Sequence, residues 1–332
     1  MRILLIKTSS MGDIIHTLPA LTDAMRAIPG INFDWVVEEG FVDVPSWHPA
    51  VGQIIPVAIR RWRKNIWRTW RSGEYARFRE RIMAQEYDLV LDAQGLLKSA
   101  WLTRGLAAPV AGADRQSVRE KIASRFYNRH YPIQPGIHAV ERIRQLFAAA
   151  LDYPLPQSIG DYGLDRQSIA SRQQGLPQEP YLMFLHGTTW PSKHWPEENW
   201  RALAEHYSAC GKTILLPWGT AQEQQRARRI AQQLPGVQVL PRMSLTSLAG
   251  YLAAASVCVA VDTGLGHLAA ALATPCVSLY GPTSPKLIGA YGANQVHLCA
   301  TGPNAGKRHR SLPCFDSLDA GQVIAAVDPL LP

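Results

Sequence analysis

Short unbroken apolar runs, separated by stretches of helical periodicity, set the plan of this chain. Residues 3–6 are apolar throughout and read as a buried strand, as do 33–38, 53–57 and 88–92. Between them, 13–27 carries a helical pattern in which Pro19, lacking an N–H, predicts a distortion. Helices are also predicted over 73–85 and 138–151, the latter placing Val140, Ile143, Leu146 and Phe147 on one face. From 152 to 180 the periodicity fades, and Pro154, Pro156, Pro177 and Pro180 gather among Gly and Gln, which marks a linker. Alternation then resumes: strands at 181–185, 213–217, 237–240, 257–261 and 276–280 alternate with helices at 197–209 (opened by Pro196), 221–234, 244–254 and 265–273. Continuously apolar strands interleaved with helices predict an α/β fold with parallel sheets covered on both faces. A length of 332 residues exceeds one ordinary core and predicts two domains. Their expected extents are 1–155 and 181–312, joined by a linker at 156–180 and followed by 313–332, where 317–327 reads as a last helix.

Composition narrows the class. Hydrophobic residues make up 47% of the chain, enough for well-packed cores, yet no apolar run approaches a membrane span. The first apolar run is four residues long and ends in Lys7, too short for a signal peptide. Five scattered cysteines have neither zinc-ligand nor redox spacing; Cys258 and Cys276 fall in predicted strands as buried thiols, and a reducing cytoplasm is expected. The net charge of +8 calls for an acidic partner. Residues 60–71 concentrate it, with six basic residues, three tryptophans and no acid. That segment suits a phosphorylated, carboxylate-rich ligand, an anionic lipid surface or a nucleic acid stacked on Trp62, Trp67 and Trp70; a solvated basic face with inward tryptophans is the plain alternative.

Two strand-to-helix corners carry the candidate chemistry. One is Lys7-Thr8-Ser9-Ser10-Met11-Gly12-Asp13, the other Asp262-Thr263-Gly264-Leu265-Gly266-His267. Ligands in α/β proteins bind at such strand exits, so two corners in two halves suggest two sheets facing one cleft, an arrangement for joining two substrates. Thr263 and Gly264 lie at a helix start, where free N–H groups and the helix dipole attract phosphate, and His267 adds a donor one turn on. Asp262 could equally be a plain N-cap. Thr188, Thr189 and Lys193 follow another strand, and Lys193 can neutralise a leaving diphosphate unless it is merely solvated. Glu223 can accept from ribose hydroxyls, or complement a helix dipole. Asp13 is the candidate general base, with helix capping as its plain alternative. No GxGxxG fingerprint occurs at the first corner, which disfavours dinucleotide chemistry.

Taken in order, several stretches resemble the heptosyltransferases of glycosyltransferase family 9. They are 7–13 with His16-Thr17-Leu18-Pro19, Trp35-Val36-Val37-Glu38-Glu39-Gly40-Phe41, Ile59-Arg60-Arg61-Trp62-Arg63-Lys64, Asp92-Ala93-Gln94-Gly95-Leu96, Phe126-Tyr127-Asn128-Arg129, Lys193-His194-Trp195-Pro196-Glu197-Glu198, Leu216-Pro217-Trp218-Gly219, 261–267 and Tyr280-Gly281-Pro282-Thr283. The resemblance implies a GT-B fold, two Rossmann-like doubly wound domains facing a central cleft, with the last helix crossing back to the first domain. It implies ADP-L-glycero-β-D-manno-heptose as donor and the Kdo of a Kdo-bearing lipid A as acceptor, or a heptose acceptor as in a related enzyme. Thr188, Thr189, Lys193, Glu223, Met243, Asp262, Thr263, Gly264 and His267 match the donor positions, Asp13 the base, and Arg60, Arg61, Arg63, Lys64 and Arg119 the basic acceptor side. It further implies inverting transfer without a metal or other cofactor, peripheral attachment to the cytoplasmic face of the inner membrane, and no nucleic-acid partner. Residues 301–311 depart from the family pattern and receive no role.

Overall fold

The computed structural model describes residues 1–301, 314–315 and 317–331; the polar, basic run at 302–313 lies outside the described residues. The chain divides into two compact units, Met1–Gly163 and Leu164–Pro332. In the first, β1 (Arg2–Ile6), β2 (Asn32–Glu38), β3 (Val51–Val57), β4 (Leu89–Asp92), β5 (Val110–Ala113) and β6 (Arg129–Tyr131) form a parallel sheet in the order β3-β2-β1-β4-β5-β6. In the second, β7 (Tyr181–Leu185), β8 (Thr213–Leu216), β9 (Val237–Val239), β10 (Val257–Val261), β11 (Cys276–Tyr280) and β12 (Gln295–Cys299) run in the order β12-β11-β10-β7-β8-β9, also parallel. Counted from its own first strand, each sheet has the doubly wound Rossmann order 3-2-1-4-5-6. The direction of winding therefore reverses between β1 and β4 in one unit and between β7 and β10 in the other. Both corners singled out from the sequence leave these reversal points.

The apolar runs become central strands because both sheet faces are covered. β1, β4, β7 and β10 are buried almost along their full lengths. The expected helix at 13–27 is two helices, Met11–Ile15 and Leu18–Ala27. Pro19 occupies the first turn of the second, where its missing N–H costs nothing, so it starts a helix rather than distorting one. Helix Leu18–Ala27 packs on helix Ala139–Leu151, and the buried Arg144 guanidinium of the latter pairs with Asp23 at 2.6 Å.

Two features of domain extent follow from local packing. The 156–180 stretch is not a free tether: its first part belongs to the first unit and its remainder to the second. There, helix Arg166–Ser171 packs on helix Leu245–Ala254, anchored by Arg166 Nε donating to Ala253 O at 2.7 Å. The last helix, Ala320–Val327, belongs to the second unit as well, and does not form part of the first. Val323 and Val327 are fully buried in a core with Trp195, Trp200, Val277 and Leu279, and Trp195 Nε1 donates to Leu318 O at 2.7 Å. The apolar side of this helix answers an apolar face of its own sheet, which is why it stays there.

Candidate functional site

Each reversal point is laced across its two neighbouring strands. In the first unit, Lys7 leaves β1 buried, and its Nζ donates to Ala93 O, just past β4, at 2.8 Å. Gln94 Oε1 accepts from the N–H groups of Thr8 and Ser9 at 3.0 and 3.1 Å. Lys98 Nζ reaches Ser9 Oγ at 2.9 Å. This fixed loop delivers Asp13 as the third residue of helix Met11–Ile15, whose N-cap is Ser10. Asp13 Oδ2 accepts from Ser10 N at 2.9 Å and Ser10 Oγ at 3.1 Å, while Oδ1 lies 3.8 Å from the Arg119 guanidinium. Asp13 is therefore not the N-cap of the plain alternative but the third residue of a capping box, with one oxygen serving Ser10 and the other turned toward a cation. Burial opposes ionisation of Asp13, but the charges of Lys7 and Arg119 and the bonds from Ser10 outweigh it and hold the carboxyl below its usual pKa. Lys7 in turn is pushed down by burial, partly offset by Asp13.

The basic segment forms helices Ile59–Lys64 and Ile66–Ser72. Its residues do not act alike. Arg60, Arg63 and Lys64 are exposed, with Arg60 stacked over Phe41 at 5.5 Å. Arg61 is instead engaged within the unit, bound by Glu39 at 3.1 Å and Glu74 at 2.8 Å. Trp62 turns inward against Tyr75 and Phe78 and donates to Glu74 Oε2 at 2.8 Å, so it is a packing residue rather than an open stacking platform. Trp67 stands 77% exposed, while the side chain of Trp70 lies outside the described residues.

In the second unit the structure brings Asp262, Lys193, His267 and Thr188 together. Asp262 is buried; its Oδ2 lies 2.6 Å from Lys193 Nζ, and its Oδ1 3.7 Å from His267 Nε2. Thr188 Oγ1, past β7, donates to Asp262 O at 3.2 Å, tying the reversal point as Gln94 does in the first unit. Burial alone would raise the Asp262 pKa, but His267 and Lys193 hold it far below the usual carboxylate range. Asp262 is not the helix cap. Thr263 is, and it makes no side-chain capping bond to helix Gly264–Ala271; the N–H groups of Gly266 and His267 turn back to Thr263 O, so an anion would meet those of Gly264 and Leu265. Glu223 closes a capping box with Thr220, its Oε2 accepting from Gly219 N at 2.8 Å and Thr220 N at 3.0 Å. Its Oε1 lies so close to Gly187 that a Cβ there would come within 2.7 Å, which brings this carboxylate to the exit of β7. Thr189 is exposed, and Met243 half-buried just ahead of helix Leu245–Ala254.

Four residues given no role from sequence enter these corners. Lys7, Gln94 and Lys98 bind the first together, and Thr283 Oγ1 donates to Asp262 Oδ2 at 2.6 Å in the second. Their signal was positional: Lys7 and Gln94 follow strands flanking the reversal, and Thr283 follows the strand beside β10. No group of three or more His, Cys, Asp or Glu suited to a metal occurs among the described residues.

Comparison with known proteins agrees with this geometry. Residues 75–314 match the family model for glycosyltransferase family 9 (heptosyltransferase). The lipopolysaccharide heptosyltransferase 1 of Pseudomonas aeruginosa is 64% identical over 306 residues, 92% of this chain and 85% of that protein. Its Escherichia coli K12 namesake is 54% identical over 299 residues, 89% and 92% of the two chains. The solved structure of E. coli heptosyltransferase WaaC with ADP matches with a TM-score of 0.91 at 50% identity, covering 99% of this chain and 100% of that one. The same enzyme with ADP-2-deoxy-2-fluoro heptose matches with a TM-score of 0.88 at 49% identity, covering 99% of each chain. A family model spanning residues 75–314, a relative 64% identical over 92% of this chain, and two Rossmann-like parallel sheets of the GT-B class place this chain in glycosyltransferase family 9, the heptosyltransferases.

Proposed function

We propose that this chain is an inverting glycosyltransferase that moves L-glycero-D-manno-heptose from ADP-L-glycero-β-D-manno-heptose to the Kdo of a Kdo-bearing lipid A, adding the first heptose of the lipopolysaccharide inner core. The observation that carries the reading is the presence of two unlike strand exits: an ionised Asp13 near cations in one unit, and in the other a helix start with no side-chain cap bond beside Lys193. The nucleotides bound to the relatives support the ADP-heptose donor, and their role in lipopolysaccharide synthesis supports an acceptor of the inner core.

On this reading the donor diphosphate rests on the N-terminus of helix Gly264–Ala271. Thr263, Gly264 and Lys193 offset the charge that grows on departing ADP. Lys193 is held by Asp262, so its ammonium is aimed before the donor arrives. Glu223 accepts from the ribose, and Thr188, Thr189, Met243 and His267 complete the donor side. Asp13 takes the proton of the acceptor hydroxyl as that oxygen attacks the anomeric carbon in a single displacement. Lys7 and Arg119 keep Asp13 ionised at neutral pH, the form a base requires. Arg60, Arg63 and Lys64 draw in the anionic acceptor, with Arg119 beside the base; the role first expected for Arg61 passes to holding Glu39 and Glu74. Lysine and a helix end supply the positive charge, so the reading calls for no resident cofactor. Working at the anionic cytoplasmic face of the inner membrane, as a peripheral protein, follows from the acceptor's chemistry and the basic segment.

The test is ADP release from ADP-heptose with and without a deacylated Kdo-lipid A. Release that depends on this acceptor is expected. Release only with an acceptor already carrying heptose would assign the chain to a different step.

A further inference from the structure

Lys193 is asked to meet the donor diphosphate, but the turn that bears it is weak by itself. Pro191–Lys193 is a single 3-10 turn, closed by Lys193 N donating to Trp190 O at 3.0 Å and His194 N donating to Pro191 O at 3.1 Å. Such turns have poorer hydrogen-bond geometry than an α-helix. An ammonium on a flexible four-carbon stem is aimed only as well as its main chain is held. Asp262, past β10, holds the ammonium, and Trp190 lies beneath it with its ring centroid at 4.9 Å. The main chain is held by the next residue, His194. One nitrogen of its ring bonds the main chain of His186, directly past β7. Its Nδ1 accepts from Arg226 Nη1. Arg226 stands in helix Ala221–Ala231, which follows β8. β10, β7 and β8 are neighbours in the sheet, so Lys193 and His194 tie one short turn to the exits of three adjacent strands.

The state of His194 suits this task. An imidazole that accepts at Nδ1 and donates at its other nitrogen is neutral. Burial, with the Arg226 charge beside it, holds the His194 pKa below its usual value, which keeps the ring in that form. The guanidinium itself is not placed there for stability. Arg226 is half-buried, and among the described residues it makes no ion pair with a carboxylate. Glu197 is taken by Arg229, with bonds of 2.7 and 2.9 Å. Glu223, one turn before Arg226, gives Oε2 to Gly219 and Thr220. Burial accordingly pushes the Arg226 pKa down. A partly desolvated cation without a carboxylate partner adds little to stability, and its bond to His194 is a positional one. We propose that Arg226 is a positioning residue for Lys193: through His194 it fixes the turn from which the Lys193 ammonium meets the donor diphosphate. This deepens the donor part of the proposed function and rests on it, though the aiming of Lys193 can be measured with ADP alone.

The test measures the affinity of the full chain for ADP and for adenosine by calorimetry, in the wild type, Arg226→Met, Lys193→Met and the double variant. Arg226→Met should weaken ADP by about tenfold and leave adenosine, which has no diphosphate, within about twofold. In the Lys193→Met background the same change should weaken ADP by less than about twofold, because the group it aims is gone. Arg226→Lys, which can still donate to His194, should recover part of the ADP affinity, and His194→Ala should match Arg226→Met. Three results would overturn the inference: ADP affinity unaltered in Arg226→Met, ADP and adenosine weakened alike, or an undiminished loss in the Lys193→Met background. The second would make Arg226 a support for Glu223 at the ribose, and the third would give it a general structural role. Intact coupling in a chain that releases no ADP from ADP-heptose with any Kdo or heptose acceptor would uphold the aiming of Lys193 and count against the proposed transfer instead.

Discussion

The two units share a strand order and a reversal point but use the reversal in opposite ways. In the first, the chemical corner follows β1, and the loop after β4 serves as its brace through Gln94. In the second, the corner follows β10, the fourth strand of its sheet, and the loop after β7 is the brace through Thr188. The helix starts differ in the same sense. Asp13 spends one oxygen in the capping box of its helix and turns the other toward Arg119, whereas Asp262 takes no part in capping and spends both oxygens on Lys193, Thr283 and His267. On the proposed reading, one carboxylate takes a proton and the other aims a cation. A common fold fixes where a ligand binds, and the side chains at that place decide what happens to it.

The sharpest way to break this contrast is at Asp13. Asp13→Ala should lower turnover by ~10²–10⁴-fold while the dissociation constant for ADP-heptose, read by calorimetry, stays put. Asp13→Asn, which can still accept the Ser10 bonds, should lose turnover similarly and melt near the wild-type temperature. Donor affinity falling with turnover would mean the two corners do not divide the work.

Thr283 probes the other carboxylate. Thr283→Val removes a buried hydrogen bond to a charged group, worth about 1.5–3 kcal/mol, and loosens the carboxylate that aims Lys193. Denaturant unfolding should register the loss, and the donor KM should rise more than the acceptor KM, with Thr283→Ser restoring both. An equal rise in both would reduce Thr283 to a purely structural role.

A smaller effect is expected at Arg119. Its charge favours the ionised form of Asp13, so Arg119→Met should raise the Asp13 pKa and move the acid limb of the kcat profile to higher pH. Lys7 stays in place and limits the shift. An acid limb moving to lower pH, or not at all, would remove Arg119 from the base's surroundings and leave it only an acceptor contact.

Much of this was legible in the chain because central strands of a covered parallel sheet are apolar without interruption. β1, β7, β10 and β11 could be read almost to the residue for that reason. The missed strands are short or lie at sheet edges: β5 is Val-Ala-Gly-Ala, β6 is Arg-His-Tyr, and β12 alternates as an edge strand covered less completely. Helix starts at the corners were visible through their Gly and Asp residues, yet which carboxylate caps and which aims depends on neighbours distant in sequence. Thr283 lies 21 residues beyond Asp262, and Gln94 85 and 86 beyond the N–H groups it satisfies. Periodicity carries no trace of such pairings. For the last helix, apolar spacing reports that a face will be buried and not against what.

That last helix bears on how the chain matures during synthesis. All the residues of the first unit precede position 164, so its core can close while the remainder is still being made. The second unit waits for Val323 and Val327, which fill its core from a helix that follows all of its strands. Until they emerge, Trp195 and the strands around it have an open apolar flank. The unit that carries Asp13 can be ready early, and the unit that carries Lys193 and Asp262 is finished only once the helix Ala320–Val327 has been made.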